Sequence, residues 1–301
     1  MPAGSARRTT VEIGSRRLSL SNLDKVLYPG PGTTKGQVVQ WYADAAPWLV
    51  PHLSGRPVTR KRWPDGVEAE AFFEKNLPAG APDWVSRVHR QHTERTIAYP
   101  LVPDGADPDD GLATVVWFAQ QGALELHVPQ WRIDHEELPD RLVADLDPGP
   151  GTGLDECSQV ALVLRSVLGE AGYDTYAVTS GSKGMQVYAP LTGTPLEGAD
   201  SEQVSGYVKT VAEALERGMP ELVVSRMATA LRAGKVFLDW SQNNGRKTTI
   251  CPYSLRGRDQ PWAAAPRPWE EVEAGGLTQL ALPDLLARVQ RDGDPAAGLL
   301  G

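Results

Sequence analysis

One short stretch, LVADLDPGPG at residues 142–151, constrains the fold more than any other part of the chain. Its apolar residues followed by Pro148 and Gly149 predict a buried strand that ends in a turn. Asp145 and Asp147 lie two residues apart, so in a strand their side chains point to the same face. Adjacent carboxylates repel each other unless a cation lies between them. The stretch therefore predicts a strand end that holds a metal ion or a basic group. The alternative is that neither aspartate binds a metal, with one aspartate forming part of the turn and the other exposed to solvent.

The composition predicts a globular protein of the reducing cytosol. With 301 residues, 41% of them hydrophobic, the chain can bury a core in one large domain or two small ones. No apolar run follows the N-terminal arginines, so no signal peptide is predicted. No stretch approaches the ~18 apolar residues of a membrane span. Cys157 and Cys251 are far apart, which predicts neither a disulfide framework nor a zinc site.

Charge is distributed unevenly along the chain. The net charge of −8 argues against a protein that binds nucleic acid over its whole surface. The basic stretch RPVTRKR at residues 56–62 leaves room for a local basic site on an acidic body. Acidic residues concentrate in PDGADPDDG at residues 103–111, which is predicted to be a surface loop.

Hydrophobic spacing predicts a mixture of helices and strands, and therefore an α+β fold. A helix is predicted over residues 35–49, with Thr34 as its cap and Pro47 ending or bending it. Further helices are predicted over 155–170, 201–217 and 283–291. Strands are predicted at residues 11–22 as two short strands joined by a turn, at 122–128 as a half-buried strand, and at 175–179, 185–190 and 235–239.

A third carboxylate stands in the apolar stretch VFLDW at residues 236–240. A buried Asp239 costs several kcal/mol unless it is paired or bound to metal. If it converged on Asp145 and Asp147, the three would complete a two-metal site suited to displacement at phosphorus. A salt bridge from Asp239 to Arg232 or Arg256 is an equally good interpretation at this stage.

A tight loop between two predicted strands, TSGSKGMQVY at residues 179–188, offers backbone N–H groups, two hydroxyls and Lys183. Such a loop suits a phosphate group. It is not a Walker A loop, because the GxxxxGK[ST] spacing is absent and a strand follows where a helix should. A plain turn is the alternative.

Taken together and in order, these stretches resemble the polymerase domain of bacterial DNA ligase D, a member of the archaeo-eukaryotic primase superfamily. The matching phrases are LDKVLYPGPGTTK, GRPVTRKRWPDGV, AFFEK, QGALELHVPQW, LVADLDPG, VTSGSKGMQVY, LRAGKVFLDWSQN and TTICPYSLRGR. The resemblance implies a primase-like α+β fold with antiparallel-rich sheets flanked by helices around a catalytic cleft. It also implies a single domain over 1–301, with a DNA-binding part at about 1–130, a catalytic core at about 131–260 and a closing segment at 261–301.

The resemblance also implies roles for individual residues. The metal ligands and catalytic residues would be Asp145, Asp147 and Asp239, holding two divalent ions, Mn²⁺ or Mg²⁺, with NTP or dNTP as the substrate. The nucleotide contacts would be His127, Ser180, Lys183, Gln242 and Arg256. The DNA contacts would be Lys25 and Lys35 on the 5′-phosphate across a gap, Lys61 in the basic stretch, Phe72 and Phe73 on template bases, and Arg232 near the primer or template. For the two phenylalanines, packing of one in the core is the alternative.

The implied activity is template-directed nucleotide transfer that fills short gaps at DNA ends during non-homologous end joining, with ribonucleotides preferred. The implied partners are DNA with a 5′-phosphorylated gap or break, a Ku-like end-binding protein and a separate ligase. The expected location is the cytoplasm at the nucleoid, with no membrane partner. No ligase or nuclease motif is present, and the initial Met and the tail favour a stand-alone polymerase over an excised domain.

One departure and two alternatives accompany the resemblance. Gln186 stands where the family usually has a histidine, which removes any role for a histidine there. A glycosyltransferase with a metal-binding DxD pair would explain Asp145 and Asp147, but it leaves Asp239 and the basic stretch without roles. A non-catalytic module that binds DNA ends would not need three candidate metal ligands.

Overall fold

A computed structural model describes residues 8–92 and 95–300 of the chain. The fold divides into two compact units, and each is described by itself. The first unit comprises residues 8–128 with Tyr253–Pro261, and the second comprises Pro129–Pro252 with residues 262–300. The predicted α+β class, rich in antiparallel sheet, is confirmed.

The first unit contains nine strands and two helices among its described residues. Strands β5, β6 and β9 form antiparallel pairs in the order β9-β5-β6, and the other strands form the hairpins β1-β2, β3-β4 and β7-β8. The elements are β1 Arg8–Ile13, β2 Arg16–Ser21, β3 Val26–Tyr28, β4 Thr33–Thr34, α1 Lys35–Leu53, β5 Thr59–Arg62, β6 Phe72–Glu74, β7 Arg87–His92, β8 Arg95–Pro100, α2 Pro108–Gln120 and β9 Ala123–Val128.

Helix α1 begins where the sequence predicts and ends later. Thr34 caps it, because its hydroxyl accepts a hydrogen bond from the Gln37 backbone N–H. Pro47 does not end the helix, which continues to Leu53. The buried face of α1 packs against α2, and such tertiary packing outweighs the backbone hydrogen bond that a proline removes.

The prediction of a surface loop over residues 103–111 is wrong in its second half, because α2 begins at Pro108. The Asp107 side chain accepts a hydrogen bond from the Asp109 N–H and so caps the helix. Pro108 occupies the first turn, where no intrahelical donor is lost. Asp109 and Asp110 lie in the same turn, where the helix dipole favours negative charge. These acidic and proline residues signal a helix start rather than a loop.

Strand β9 was predicted to be half-buried, and all six of its residues are buried. Its polar residues Glu125 and His127 share one face and are hydrogen-bonded to each other. Pairing of the two side chains lets a charged residue occupy a buried strand, so alternating polarity here indicates a polar cluster and not a solvent face.

The second unit is built on a six-stranded sheet in the order β13-β14-β10-β12-β11-β17, in which only the β13-β14 pair is parallel. Strands β16 and β18 form a separate antiparallel pair. The elements are β10 Arg141–Pro148, α3 Leu154–Glu170, β11 Tyr176–Thr179, β12 Met185–Pro190, α4 Ser201–Gly218, β13 Val223–Val224, β14 Val236–Asp239, β15 Thr249–Ile250, β16 Trp262–Ala263, β17 Ala265–Arg267, α5 Trp269–Ala274, β18 Leu280–Ala281 and α6 Leu282–Asp292, with 3₁₀ helices at Ile133–His135, Thr229–Leu231, Trp240–Asn243 and Ala297–Leu300.

The predicted helices and strands of the second unit are confirmed to within two residues at each end. One face of β10 packs with α3 and α4 in the main core, to which Leu142, Ala144 and Leu146 contribute. The opposite face carries Asp145 and Asp147. Helix α3 buries Val160 and Leu164, whereas Val163 and Val167 are exposed.

Across residues 8–92 and 95–300, the helices are too short or too polar to cross a bilayer.

Candidate active site

Three aspartates, here called the carboxylate cluster, lie on two neighbouring strands of the second unit. Asp145 on β10 is directly opposite Asp239 on β14, and Asp147 lies two residues further along β10. Residues directly opposite in an antiparallel pair have Cβ atoms ~4.5–5.5 Å apart. The pairing therefore brings Asp239 beside the DxD pair, which is one of the two arrangements that the sequence left open.

Asp239 is almost buried, and the structure shows what surrounds its carboxylate. Oδ1 accepts hydrogen bonds from the Ser241 backbone N–H at 3.0 Å and from the Ser241 hydroxyl at 2.5 Å. Oδ2 accepts one from Gln242 Nε2 at 2.9 Å. Lys247 Nζ lies 4.0 Å from Oδ2. Neutral donors thus provide most of the contacts to this carboxylate.

A salt bridge from Asp239 to Arg232 or Arg256, the alternative drawn from the sequence, is wrong. The Arg232 guanidinium stacks on the Phe237 ring at 3.6 Å and donates to the Met227 carbonyl. Arg256 pairs with Glu125 in the first unit. The cation beside Asp239 is Lys247, which the sequence analysis did not single out.

The donor chemistry of the carboxylate cluster fits a hard divalent cation, which takes carboxylate oxygens as ligands. In residues 8–92 and 95–300, however, no three His, Cys, Asp or Glu side chains already converge as a metal centre. Both carboxylate oxygens of Asp239 instead accept hydrogen bonds, Oδ1 from Ser241 and Oδ2 from Gln242. A metal ion would therefore have to compete with the Gln242 hydrogen bond for Oδ2.

The loop of residues 180–184, SGSKG, here called the SGSKG loop, packs directly on β10. A Cβ atom added to Gly184 would lie 1.9 Å from the Leu146 carbonyl oxygen, so only glycine permits this approach. The loop is closed by a hydrogen bond from the Ser180 N–H to the Gly184 carbonyl at 2.9 Å. Lys183 is exposed at its tip. The loop thus lies against the segment of β10 that carries Asp145 and Asp147.

Gln186 is buried on β12 directly opposite Asp145. Its side-chain oxygen Oε1 accepts a hydrogen bond from the Tyr188 hydroxyl at 2.7 Å. The position at which the family usually has a histidine is therefore next to the carboxylate cluster and holds a neutral amide.

In the first unit, Glu125 is the centre of a second cluster, here called the glutamate cluster, with His127, Arg256 and Lys61. Glu125 Oε2 lies 2.8 Å from His127 Nε2. Oε1 lies 3.5 Å from Arg256 Nε and accepts the Gly257 backbone N–H at 3.1 Å. His127 and Arg256 were predicted from the sequence and Glu125 was not. Its spacing of two residues from His127 in a strand was the available signal.

Neighbouring cations keep the buried carboxylate of Glu125 ionised in the glutamate cluster. Burial opposes ionisation of Glu125, but the hydrogen bond from His127 and the charges of Arg256, His127 and Lys61 lower the pKa of its carboxyl to about 2. Burial lowers the pKa of the His127 imidazole despite its contact with Glu125. Because the ionised Glu125 can only accept a hydrogen bond, Nε2 of His127 carries the hydrogen that it donates to the carboxylate.

Phe72 and Phe73 are 44% and 58% exposed on β6, so the core-packing alternative is wrong for both. Each ring has a cation over it: Arg62 Cζ lies 5.2 Å from the Phe72 ring centroid, and Lys61 Nζ lies 5.2 Å from that of Phe73. Phe73 also contacts the His127 ring edge-to-face at 5.6 Å. These are exposed aromatic faces backed by positive charge.

Lys25 and Lys35 lie close together, because the Lys35 backbone N–H donates to the Lys25 carbonyl at 2.7 Å. Lys35 is buried, its Nζ donates to the Ser21 carbonyl at 2.9 Å, and burial followed by the charges of Lys25 and Arg62 lowers its pKa to about 8. Lys25 Nζ pairs with Asp65 at 2.5 Å. A surface pocket beside Lys25 is lined by Thr9, Asn22, Leu23, Asp24 and Lys25.

Comparison with known proteins decides the family. Residues 34–296 match the family described as LigD, primase-polymerase domain. The chain belongs to this family. It is 49% identical over 287 residues to the multifunctional non-homologous end joining DNA repair protein LigD of Mycobacterium tuberculosis, a match that covers 93% of this chain and 36% of that protein. The bifunctional non-homologous end joining protein LigD of Bacillus subtilis is 32% identical over 93% of this chain and 43% of its own length.

A solved structure supports the same assignment. The polymerase domain of Mycobacterium tuberculosis Ligase D in complex with DNA matches with a TM-score of 0.87 and 48% identity, covering 94% of this chain and 98% of that one. The primase-polymerase fold inferred from the sequence is therefore confirmed. The chain spans about a third of the length of the mycobacterial LigD proteins.

Proposed function

We propose that this chain is a metal-dependent nucleotidyltransferase that extends a DNA primer across short gaps at broken ends, copying a template and preferring ribonucleotides. The observation that carries the proposal is the register of β10 and β14, which sets Asp145 opposite Asp239. The SGSKG loop packs on the same strand. In a chain of the primase-polymerase family, carboxylates and a phosphate-binding loop on one strand suit the transfer of a nucleotide.

In this proposal Asp145, Asp147 and Asp239 hold two divalent ions, Mn²⁺ or Mg²⁺. When bound, these ions would lower the pKa of the primer hydroxyl and neutralise the pyrophosphate that leaves. The Lys183 ammonium and Ser180 hydroxyl bind the triphosphate of an NTP or dNTP, and Gln242 contributes its amide on the nucleotide side. His127 and Arg256 contact the nucleotide from positions that Glu125 fixes. The protein contributes positioning and charge and forms no covalent bond to the substrate.

The proposed DNA contacts use cations and aromatic rings that read no sequence. Lys25 and Lys35 bind the 5′-phosphate across the gap, supported by their proximity and by the adjacent pocket. Phe72 and Phe73 stack on template bases, for which their exposed rings are suited. Lys61 and Arg232 add contacts to the DNA backbone. Because the chain as a whole is acidic, binding should be weak and salt-sensitive without the 5′-phosphate.

The names of the relatives place those proteins in non-homologous end joining. We propose the same setting for this chain, in the cytoplasm at the nucleoid, with a Ku-like end-binding protein and a ligase as partners. We also propose that residues 1–301 act as one primase-polymerase domain. Membership of the primase-polymerase family speaks against the glycosyltransferase interpretation.

The test is extension of a primer on DNA with a short gap, with and without a 5′-phosphate on its far side, in Mn²⁺ or Mg²⁺. Templated extension that is faster with the 5′-phosphate and with ribonucleotides is expected. Folded wild-type protein that extends no primer with either metal and either nucleotide would contradict the proposal. Binding to the DNA without extension would favour the non-catalytic module instead.

A further inference from the structure

Gln279, which lies in the C-terminal segment far from the carboxylates in sequence, braces the SGSKG loop. Its Oε1 accepts the Gly181 backbone N–H at 2.8 Å. Its Nε2 donates to the Gly184 carbonyl at 3.2 Å. One side-chain amide therefore bridges two backbone groups of the loop that carries Ser180 and Lys183.

The brace is itself anchored through Arg267 on β17. Arg267 is 4% exposed, and its Nε donates to the Thr179 hydroxyl at 3.2 Å. Another nitrogen of the same guanidinium donates to the Thr278 carbonyl. Thr179 immediately precedes the SGSKG loop and Thr278 immediately precedes Gln279. The buried Arg267 side chain therefore holds the residue before the SGSKG loop and the residue before Gln279.

A second anchor lies on the other side of Gln279, where Leu280 begins β18 and pairs with Ala263 on β16. The side chain is therefore held from both directions along the chain. The Gly184 carbonyl accepts from Gln279 and also from the Ser180 N–H at 2.9 Å. Residues 180–184 thus reach one closed conformation before any ligand arrives.

We propose that Gln279 is a positioning residue that holds the SGSKG loop ready for a triphosphate. The inference rests on the proposed function, in which Ser180 and Lys183 bind the triphosphate. Without the brace the loop must be ordered at the moment of binding, which lowers affinity through conformational entropy. The cost is expected to fall on binding of the phosphates and not on the chemical step, because the side-chain hydrogen bonds of Gln279 run to backbone groups of the loop.

The experiment compares wild type with Gln279→Ala and Gln279→Glu, with Gln290→Ala as the matched control. Glu at 279 keeps the length and the acceptor for the Gly181 N–H but cannot donate to Gly184 when ionised. Gln290 is an exposed glutamine on α6 in the same segment. Steady-state gap filling with ATP in Mn²⁺ gives KM and kcat, and equilibrium dialysis gives the Kd values of ATP and AMP.

Loss of both hydrogen bonds is expected to raise the KM and Kd for ATP about tenfold. The kcat should stay within about twofold of wild type, as should the Kd for AMP, because AMP lacks the triphosphate. Gln279→Glu should show at least as large an effect, because its carboxylate would replace the donor to the Gly184 carbonyl by a negatively charged oxygen that repels it, and Gln290→Ala should behave as wild type.

An unchanged ATP affinity in Gln279→Ala, in protein whose Gly181 amide exchanges faster with solvent, would overturn the inference. So would equal losses for ATP and AMP, which indicate general damage to the fold. Wild type that binds ATP but extends no primer would contradict the proposed function alone. The Kd values of ATP and AMP would then still test whether Gln279 positions the SGSKG loop. Wild type that does not bind ATP would defeat both.

Discussion

Each unit buries a carboxylate, but different groups stabilise the negative charge of Glu125 and that of Asp239. Glu125 in the first unit is within reach of a histidine, an arginine and a lysine, and its pKa is lowered to about 2. Asp239 in the second unit is satisfied mainly by the neutral donors Ser241 and Gln242, with Lys247 at 4.0 Å. Two further carboxylates, Asp145 and Asp147, lie on the neighbouring strand.

The difference teaches how to distinguish a structural carboxylate from a candidate metal ligand. A carboxylate neutralised by fixed side-chain cations is held in place without an added ion. A carboxylate satisfied mainly by neutral donors, as Asp239 is by Ser241 and Gln242, keeps a negative charge that a divalent ion can neutralise. The glutamate cluster should therefore stabilise the fold and position His127 and Arg256. The carboxylate cluster should contribute to catalysis and add little to the stability of the fold.

The largest expected effect is on catalysis by the carboxylate cluster. Asp145→Asn and Asp239→Asn should each reduce the rate of gap filling about 10³-fold or more, since a metal ion contributes several kcal/mol of charge stabilisation. Their unfolding free energy should be unchanged or higher, because like charges have been removed. Asp174→Asn, an exposed aspartate of the same unit, is the control. Single-turnover kinetics measure the rate, and urea unfolding measures the stability. Retained activity in either aspartate variant would contradict a catalytic role for the carboxylate cluster.

For Glu125→Gln, unlike the aspartate variants, a large loss of stability is expected. Removing this charge leaves Arg256 and Lys61 uncompensated and should lower the unfolding free energy by about 3 kcal/mol. Because the folded pKa of about 2 lies below the ordinary 4.5, the stabilisation is present above about pH 4.5 and is lost as the pH falls towards 2. Urea unfolding between pH 7 and pH 3 should therefore show a shallower acid slope for the variant. Equal slopes would contradict this assignment.

The pH dependence of 5′-phosphate binding extends the comparison to the cations of the first unit. Lys35 has a pKa lowered to about 8, so its positive charge is lost as the pH rises through that value. Affinity for 5′-phosphorylated gapped DNA should fall about fivefold between pH 7 and pH 9 relative to the unphosphorylated duplex. Lys35→Arg keeps its charge and should remove this dependence, as fluorescence anisotropy would show. A wild type insensitive to pH in this range would exclude Lys35 from the phosphate site.

The smallest expected effect concerns Asp65, which pairs with Lys25 at 2.5 Å and is largely exposed. This carboxylate competes with a phosphate for the lysine. Asp65→Asn should therefore strengthen binding of the 5′-phosphorylated end about two- to threefold, in line with the modest energies of exposed ion pairs. Binding of unphosphorylated DNA should change less, and a decrease for the phosphorylated end would show that Asp65 orients Lys25 instead.

Local patterns in the sequence predicted the carboxylate cluster better than the contacts of Glu125 and Gln279. The apolar stretches around Asp145, Asp147 and Asp239 predicted the strands that carry them, and the spacing of two residues predicted that Asp145 and Asp147 share a face. The contacts of Glu125 with Arg256 and of Gln279 with the SGSKG loop join residues more than 90 positions apart. No local period encodes such pairs. Likewise Asp107 and Pro108 begin a helix although their composition is that of a turn.

The most direct test of the difference between the clusters is a titration with Mn²⁺, followed by the electron paramagnetic resonance signal of the free ion. Wild type, Asp239→Asn and Glu125→Gln should be compared at neutral pH, after urea unfolding has established that each is folded there. Wild type and Glu125→Gln are expected to bind Mn²⁺ with similar affinity, and Asp239→Asn is expected to lose most of that binding. Mn²⁺ that binds Asp239→Asn as tightly as wild type, or that is lost in Glu125→Gln, would contradict the assignment of the two clusters.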